Sequence, residues 1–346
     1  MTAKIAVLGC GKQAVKHVAG LRAADPGCGI VRADVVPERA RALAGRLGVG
    51  WQEEPLAAVA DPAVTAISIC TPTPSHAPLI RAAIAAGKPF CCEKPLTDDP
   101  AEAAALARAA DAAGVFGMVG FTFRYAPGMR LVRDLVAAAR SAPGHSPLGR
   151  PVSALFRIGG RGNHAAWKHQ RATGGGAINE MLVHLLDLAF WTFGPAARLE
   201  TVACRCLQPE RTIEGKPAHC DAEDLVVARM VSAEGVEILI HADFVSPAFV
   251  QFVEAHGADG SVVASIVPEF ASFVYTNAEG RGFARGRTEQ AWGAVDFYAA
   301  QMAAFLEGVA GGAPEGVARL ADSVPVLQAM AAIRAGSGLR ALQDAA

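Results

Sequence analysis

Val7-Leu8-Gly9-Cys10-Gly11-Lys12-Gln13-Ala14 decides the fold. The apolar run Ile5–Leu8 reads as a strand, the residues from Ala14 onward read as a helix, and two glycines stand at the turn between them. Gly9 suits a tight turn, and Gly11 lets backbone approach a pyrophosphate at a helix N-terminus. Ala14 stands in for a third glycine, and its small side chain still permits close helix–strand packing. A lone Gly-x-Gly-x-x-Ala also serves as an ordinary strand-to-helix connection. Its surroundings favour a nucleotide. Asp34 follows the next strand, Ile30–Ala33, where a carboxylate accepts hydrogen bonds from the adenosine ribose hydroxyls. That carboxylate repels a 2′-phosphate, so the expected cofactor is NAD rather than NADP; Arg32 and Arg39 weigh the other way. Lys12 and Gln13 complete the candidate cofactor turn.

Outward from this turn, short apolar runs alternate with alanine-rich helical stretches through residue 122. Strands are expected at Ile5–Leu8, Ile30–Ala33, Ala66–Cys70, Pro89–Cys92 and Val115–Val119. Helices are expected around Ala14–Ala23, Pro37–Leu47, His76–Ala86 and Pro100–Ala113. Such alternation predicts a parallel sheet with helices on both faces, a dinucleotide-binding domain over residues 1–122. Ser141–Pro151 reads as a surface connection. Later runs have strand character: Leu199–Leu207, Asp224–Val231, Val236–Val245, Phe249–His256 and Ser261–Val267. Tight turns such as Ala233-Glu234-Gly235 separate several of them, which predicts an open, mostly antiparallel sheet in an α+β domain over residues 123–346. Helices at Phe297–Val309 and Arg319–Ala335 close the chain.

Composition excludes several classes. The 346 residues exceed the usual limit of a single core, and half of them are hydrophobic. Lys and Arg number 32 against 33 Asp and Glu, without a basic tract, so nothing draws the chain to nucleic acid. No apolar run reaches the roughly 20 residues of a membrane span, and the first residues lack a signal peptide's apolar segment. A cytoplasmic protein is expected. Eight cysteines are present, and Cys10, Cys70, Cys91 and Cys92 lie in or beside apolar runs as reduced thiols do. Cys204-Arg205-Cys206 and His219-Cys220-Asp221 lack the spacing of zinc sites, and Cys204 and Cys206 read as strand residues facing a core; no metal is expected.

The stretch Gly174-Gly175-Gly176-Ala177-Ile178-Asn179-Glu180-Met181-Leu182-Val183-His184-Leu185-Leu186-Asp187 carries chemistry on an apolar helix. Offsets of four and three put Glu180, His184 and Asp187 on one helical face. A carboxylate that orients a histidine is the minimal general-base pair. A wet helix face with a half-buried histidine is the other reading, and this segment alone leaves both open. Ahead of the glycines, Asn163, His164, Trp167, Lys168 and His169 fall on a loop. Trp167 with Lys168 suits a pocket for polyhydroxy rings, and equally a surface loop with a partly buried indole.

Cys91-Cys92-Glu93-Lys94-Pro95 ends a strand of the parallel sheet, where loops line the ligand crevice. Taken by itself, Lys94 could be an exposed lysine before a helix-starting proline. Taken together, Gly9–Ala14 with His17, Thr71-Pro72 with Ser75-His76, Glu93-Lys94-Pro95, Gly120-Phe121 with Arg124-Tyr125, and Gly174–Asp187 resemble the glucose–fructose oxidoreductase, inositol dehydrogenase and rhizopine-catabolism (Gfo/Idh/MocA) family. These pieces cover residues 1–195 in order and spacing.

The resemblance implies a Rossmann domain followed by an α/β domain whose sheet commonly forms an oligomer interface, here a homodimer or homotetramer. It implies hydride transfer at one carbinol carbon of a sugar, amino sugar or cyclitol. The family's lysine, aspartate and histidine fall on Lys94, Glu180 and His184, so Glu180 replaces an aspartate with one more methylene. Thr71, Pro72, His76, Glu93 and Arg124 are then cofactor residues, with Tyr125 beside the nicotinamide and substrate; Trp167 and Lys168 are substrate candidates by their chemistry alone. A cis peptide before Pro95 is also implied. His184 would accept the hydroxyl proton, Lys94 would steady the alkoxide, and Glu180 would fix His184 or grip a neighbouring hydroxyl. His17 reads as a packed histidine near the pyrophosphate and Asp187 as structural. Two other functions fit the same resemblance: an NAD-using glycosidase that oxidises transiently and eliminates, and a non-catalytic sugar or dinucleotide sensor.

Overall fold

The computed structural model describes residues 3–161, 165–267, 269–277, 279, 281–293, 295–336 and 339–340; Asn163 and His164 lie outside them. The chain forms two compact units, Met1–Tyr125 with Ala294–Leu327, and Ala126–Gly293 with Gln328–Ala346.

The first unit is a wholly parallel sheet of β1 (Lys4–Leu8), β2 (Gly29–Ala33), β3 (Gly50–Gln52), β4 (Ala66–Ile69), β5 (Phe90–Cys92) and β6 (Gly117–Val119). Its strand order is β3-β2-β1-β4-β5-β6, so the direction of winding reverses between β1 and β4. Helices α1 (Lys12–Ala24), α2 (Pro37–Leu47), α3 (Pro55–Ala60), α4 (His76–Ala85) and α5 (Pro100–Ala112) connect the strands. Their ends follow local chemistry. Pro37, Pro55 and Pro100 occupy first helical positions, where a missing N–H costs nothing. Asp99 caps α5 by accepting from Ala101 N at 2.9 Å. The expected strands and helices of this half are present. Edge strand β3 and the short α3 come in addition; β3 is largely exposed and has no apolar run to announce it.

The first unit is discontinuous in sequence. Helix α8 (Phe297–Val309) belongs to the first unit because it packs on α1, and Gly20 is the reason it can. A Cβ at Gly20 would stand 2.7 Å from Tyr298 O, so only a bare Cα admits the approach. Met302 and Phe305 of α8 then share a core with Val18 and Leu21. The division falls within α9 (Leu320–Ala335).

The second unit opens with α6 (Pro127–Ser141), whose buried Met129, Val132, Val136 and Ala139 recur at helical spacing. Its nine-stranded sheet has the order β16-β15-β14-β13-β7-β12-β11-β8-β17. The strands are β7 (Pro151–Gly159), β8 (Ala196–Arg205), β11 (Leu225–Ser232), β12 (Glu237–Asp243), β13 (Val250–Gly257), β14 (Gly260–Ala264), β15 (Ser272–Thr276), β16 (Gly286–Gln290) and β17 (Leu339–Arg340). Every neighbouring pair is antiparallel except β7 with β12. A separate hairpin, β9 (Glu210–Ile213) with β10 (Lys216–His219), turns through Glu214 and Gly215, both at positive φ. Strand burial alternates. Val226, Ala228 and Met230 face inward on β11, as do Ile238 and Ile240 on β12. Phe193 of α7 (Val183–Phe193) meets Phe156 of β7 edge-on at 6.2 Å on this side. The other side carries exposed Leu239 and Tyr275.

Cys204 and Cys206 differ from the expectation of a core. Both are half-exposed, and Cys206 lies beyond the end of β8, its thiol donating to Cys220 O at 3.3 Å. All eight cysteines are free. Among the described residues no cluster could hold a metal, and no helix is long and apolar enough to cross a membrane.

Candidate active site

The cofactor turn lies at the carboxyl end of β1, beside the winding reversal. Gly9 has φ of +93°, and a Cβ there would stand 2.7 Å from Cys70 O and 3.1 Å from Thr71 N. Only glycine fits. Gly11 is the N-cap of α1, and a Cβ on it would meet nothing within 4 Å. No side chain caps α1, and no acid sits in its first turn. The first N–H groups of the helix and its positive dipole end therefore remain to be spent on an anion, as a pyrophosphate requires. Asp34 follows β2 with its carboxylate accepting from Val36 N at 3.0 Å. Arg32 is fully buried and donates to Gly9 O, so it is not placed at the surface where a 2′-phosphate would sit. Lys12 is exposed, and Gln13 Oε1 accepts from Tyr298 Oη at 3.2 Å.

Two neighbouring loops are tied to this turn. Gly9 rests against Cys70 and Thr71. His76 is buried, its Nε2 at 2.9 Å from Thr71 O and its Nδ1 at 3.0 Å from Pro95 O. Burial lowers the pKa of this ring against the pull of those carbonyls, and a neutral ring donates to one carbonyl at a time. His76 thus braces the Thr71 turn against the Lys94 loop, and the Lys94–Pro95 peptide is cis. Thr71 Oγ1 is buried with no partner among the described residues. Pro72 precedes a short turn of helix, Thr73–Ser75. Lys94 is half-exposed at the carboxyl end of β5.

Glu93 sits deeper, only 5% exposed. Its Oε1 accepts from Nε2 of fully buried His17 at 2.8 Å, while His17 Nδ1 lies 2.8 Å from Ser68 Oγ. Burial opposes a charge on His17, but Cys70 and Glu93 outweigh it and lift the pKa to about 10. An ionised His17 donates to both partners. Arg124 and Tyr125 are buried too. Arg124 pairs with Asp322 Oδ2 at 3.2 Å and donates to Val317 O at 3.4 Å, and Tyr125 joins the hydrophobic core of the first unit.

In the second unit the three glycines explain themselves. Gly174 and Gly176 have φ of +75° and +115°. A Cβ on Gly175 would fall 2.5 Å from the Lys168 carbonyl, and one on Gly176 would strike the Glu223 carboxylate. Gly176 N donates to Lys168 O at 2.9 Å, and Ile178 N to Glu223 Oε1 at 3.2 Å. Glu223 thereby receives the start of the helix. That start is not an α-helix. Ile178–Leu182 forms a π-helical turn, and α7 begins only at Val183. Glu180 and His184 are half-buried, whereas Asp187 is 1% exposed. Lys168 Nζ lies 2.5 Å from Glu180 Oε2 and 5.3 Å from the centre of the Trp167 ring. His169 packs edge-on against Phe244 at 5.2 Å, a structural role.

Residues 3–121 match the family described as an oxidoreductase family with an NAD-binding Rossmann fold, and residues 136–263 match the GFO/IDH/MocA C-terminal domain. The chain belongs to the Gfo/Idh/MocA oxidoreductase family. This Gfo/Idh/MocA member is 26% identical over 273 residues to inositol 2-dehydrogenase of Rhizobium meliloti, covering 76% of each chain. It is 30% identical over 195 residues to scyllo-inositol 2-dehydrogenase (NAD(+)) of Bacillus subtilis, covering 55% of this chain and 54% of that one. Its fold matches levoglucosan dehydrogenase in complex with NADH and L-sorbose, with a TM-score of 0.84, 21% identity and 98% of each chain covered. The first unit is thus the NAD-binding domain of a family of dehydrogenases. Sequence reasoning missed Glu223, Ser68 and the partners of Arg124. No local motif marks them, since each acquires its role from a segment distant in sequence.

Proposed function

We propose that this protein is an NAD-dependent dehydrogenase transferring hydride between a secondary carbinol of a sugar, amino sugar or cyclitol and the nicotinamide. The observation that carries this reading is the run of contacts from Gly9 through Thr71 and His76 to Pro95. It ties the Lys94 loop to the cofactor turn along the carboxyl edge of one parallel sheet, where such sheets hold ligands. The names of relatives that act on inositol support a polyol substrate.

Bound NAD supplies the hydride acceptor. Gly9, Gly11 and the first turn of α1 hold the pyrophosphate, Asp34 holds the adenosine ribose, and Thr71, Pro72 and Glu93 shape the cofactor's bed. His184 takes the hydroxyl proton, and Lys94 donates a hydrogen bond to the oxygen as charge develops on it. In reverse, His184 returns the proton to a ketone. Glu180, held by Lys168, grips a neighbouring hydroxyl, with Trp167 under the C–H face of the ring. The π-turn that carries Glu180 is a feature frequent at functional sites.

Homodimers or homotetramers form over the sheet face that bears Leu239 and Tyr275, and the free cysteines suit a reducing cytoplasm. The test is a panel of sugars and inositols with NAD, followed by NADH absorbance and by release of a chromogenic aglycone. Net NADH from a polyol supports the reading. Aglycone release without NADH would replace it with the glycosidase.

A further inference from the structure

Arg32 is a fully buried arginine on β2, a strand inside the parallel sheet, and the proposed chemistry does not use it. Its guanidinium donates to Gly9 O and, at 3.4 Å, to Ala14 O, the two ends of the Gly-x-Gly-x-x-Ala turn. Among the described residues its Nε has no hydrogen-bond partner and no carboxylate forms an ion pair with it. Asp34 stands two residues further along the chain, and both side chains act on the Cys10 thiol without pairing with each other. A buried cation held by two carbonyl oxygens and a thiol, with no carboxylate paired to it among the described residues, is an expensive arrangement unless a negative charge completes it.

The geometry of the turn says where that charge belongs. The Gly9–Cys10 peptide is trans, so its C=O and N–H point in opposite directions. With Gly9 O drawn toward buried Arg32, Cys10 N–H is aimed away from the interior. At the other end, the hold on Ala14 O fixes the first turn of α1, whose N–H groups have no cap. We propose that Arg32 is a positioning residue of the dinucleotide site, fixing the turn from beneath so that its amides face the pyrophosphate, whose charge offsets the buried guanidinium across the turn. It would distinguish ligands that carry a pyrophosphate from those that do not. The inference rests on NAD binding alone, so it stands or falls apart from the roles of His184 and Lys94.

The test is calorimetric binding of NAD, ADP-ribose and adenosine to the full-length protein and to Arg32→Met and Arg32→Lys. In Arg32→Met, affinity for NAD and ADP-ribose should fall about tenfold or more, while adenosine affinity stays within about twofold. The rise in melting temperature on adding NAD should shrink in parallel. Arg32→Lys keeps the charge and should recover part of the ADP-ribose affinity. Equal losses for adenosine and ADP-ribose, or unchanged ADP-ribose affinity in a folded variant, would overturn the proposal. So would failure of both variants to fold in saturating NAD, because Arg32 would then belong to the core and not to the cofactor.

Discussion

Lys168 and Glu180, twelve residues apart, meet at 2.5 Å because the bare Cα of Gly175 lies against the Lys168 carbonyl. Glu180 therefore points its carboxylate at an ammonium.

Shortening that side chain should break the pair. In Glu180→Asp, KM for the preferred polyol should rise about tenfold while NAD affinity is untouched, as expected for loss of a substrate-gripping contact. An unchanged KM would remove the pair from substrate recognition.

His184→Asn keeps the shape and hydrogen bonding of one ring nitrogen but cannot cycle a proton. Turnover should fall by about 10²–10⁴ with calorimetric NAD affinity nearly intact. Near-normal turnover would take His184 out of the mechanism.

Lys94→Ala removes the donor proposed for the developing alkoxide. A fall in turnover of about 10²–10³ is expected. A change confined to NAD affinity would make Lys94 a cofactor ligand instead.

Asp34→Ser removes the carboxylate that repels a 2′-phosphate. With Arg32 buried beneath Gly9, Asp34 and Arg39 are left to weigh on the choice between cofactors. The ratio of kcat/KM for NAD over NADP should narrow about tenfold or more. A parent enzyme that already prefers NADP would contradict this reading.

His17 should make stability fall with rising pH. Its folded pKa of about 10 lies above the unfolded value of 6.5, so its contribution is complete below pH 6.5 and is lost as pH rises through about 10. The buried thiols of Cys91 and Cys92, pushed up by burial, add a loss only above their unfolded value of 9.0. Between about pH 6.5 and 9 the decline in melting temperature comes from His17 and from exposed His219, whose ring the Glu210 carboxylate holds above its ordinary value, and His17→Gln should remove the His17 share. An unaltered slope in that variant would assign the decline elsewhere.

Much of the first unit was legible because its strands are short apolar runs and its turns carry glycine, proline and acid at positions with a local meaning. Edge strand β3 was not, since Gly50–Gln52 buries little and so shows no periodicity. In the second unit α6 does carry a helical stripe, from Met129 to Ala139, but β7 pairs with strands far along the chain. The site residues divide in the same way. Gly9, Lys94 and His184 announce themselves by motif. The π-turn at Ile178–Leu182 does not, because it arises from how Gly174–Gly176 pack on Lys168 and Glu223, which spacing along a helix cannot convey.

The contact of Gly20 with Tyr298 has a consequence for synthesis. Lys16 and Tyr298, on the facing helices, are separated by 282 residues, so the chain emerging from a ribosome makes α1 long before α8 exists. Through that interval Val18 and Leu21 lack the Met302 and Phe305 side chains that finish their core. The nucleotide-binding unit is therefore the first begun and among the last completed, and a nascent chain halted before Phe297 holds its apolar α1 face open to water and to chaperones.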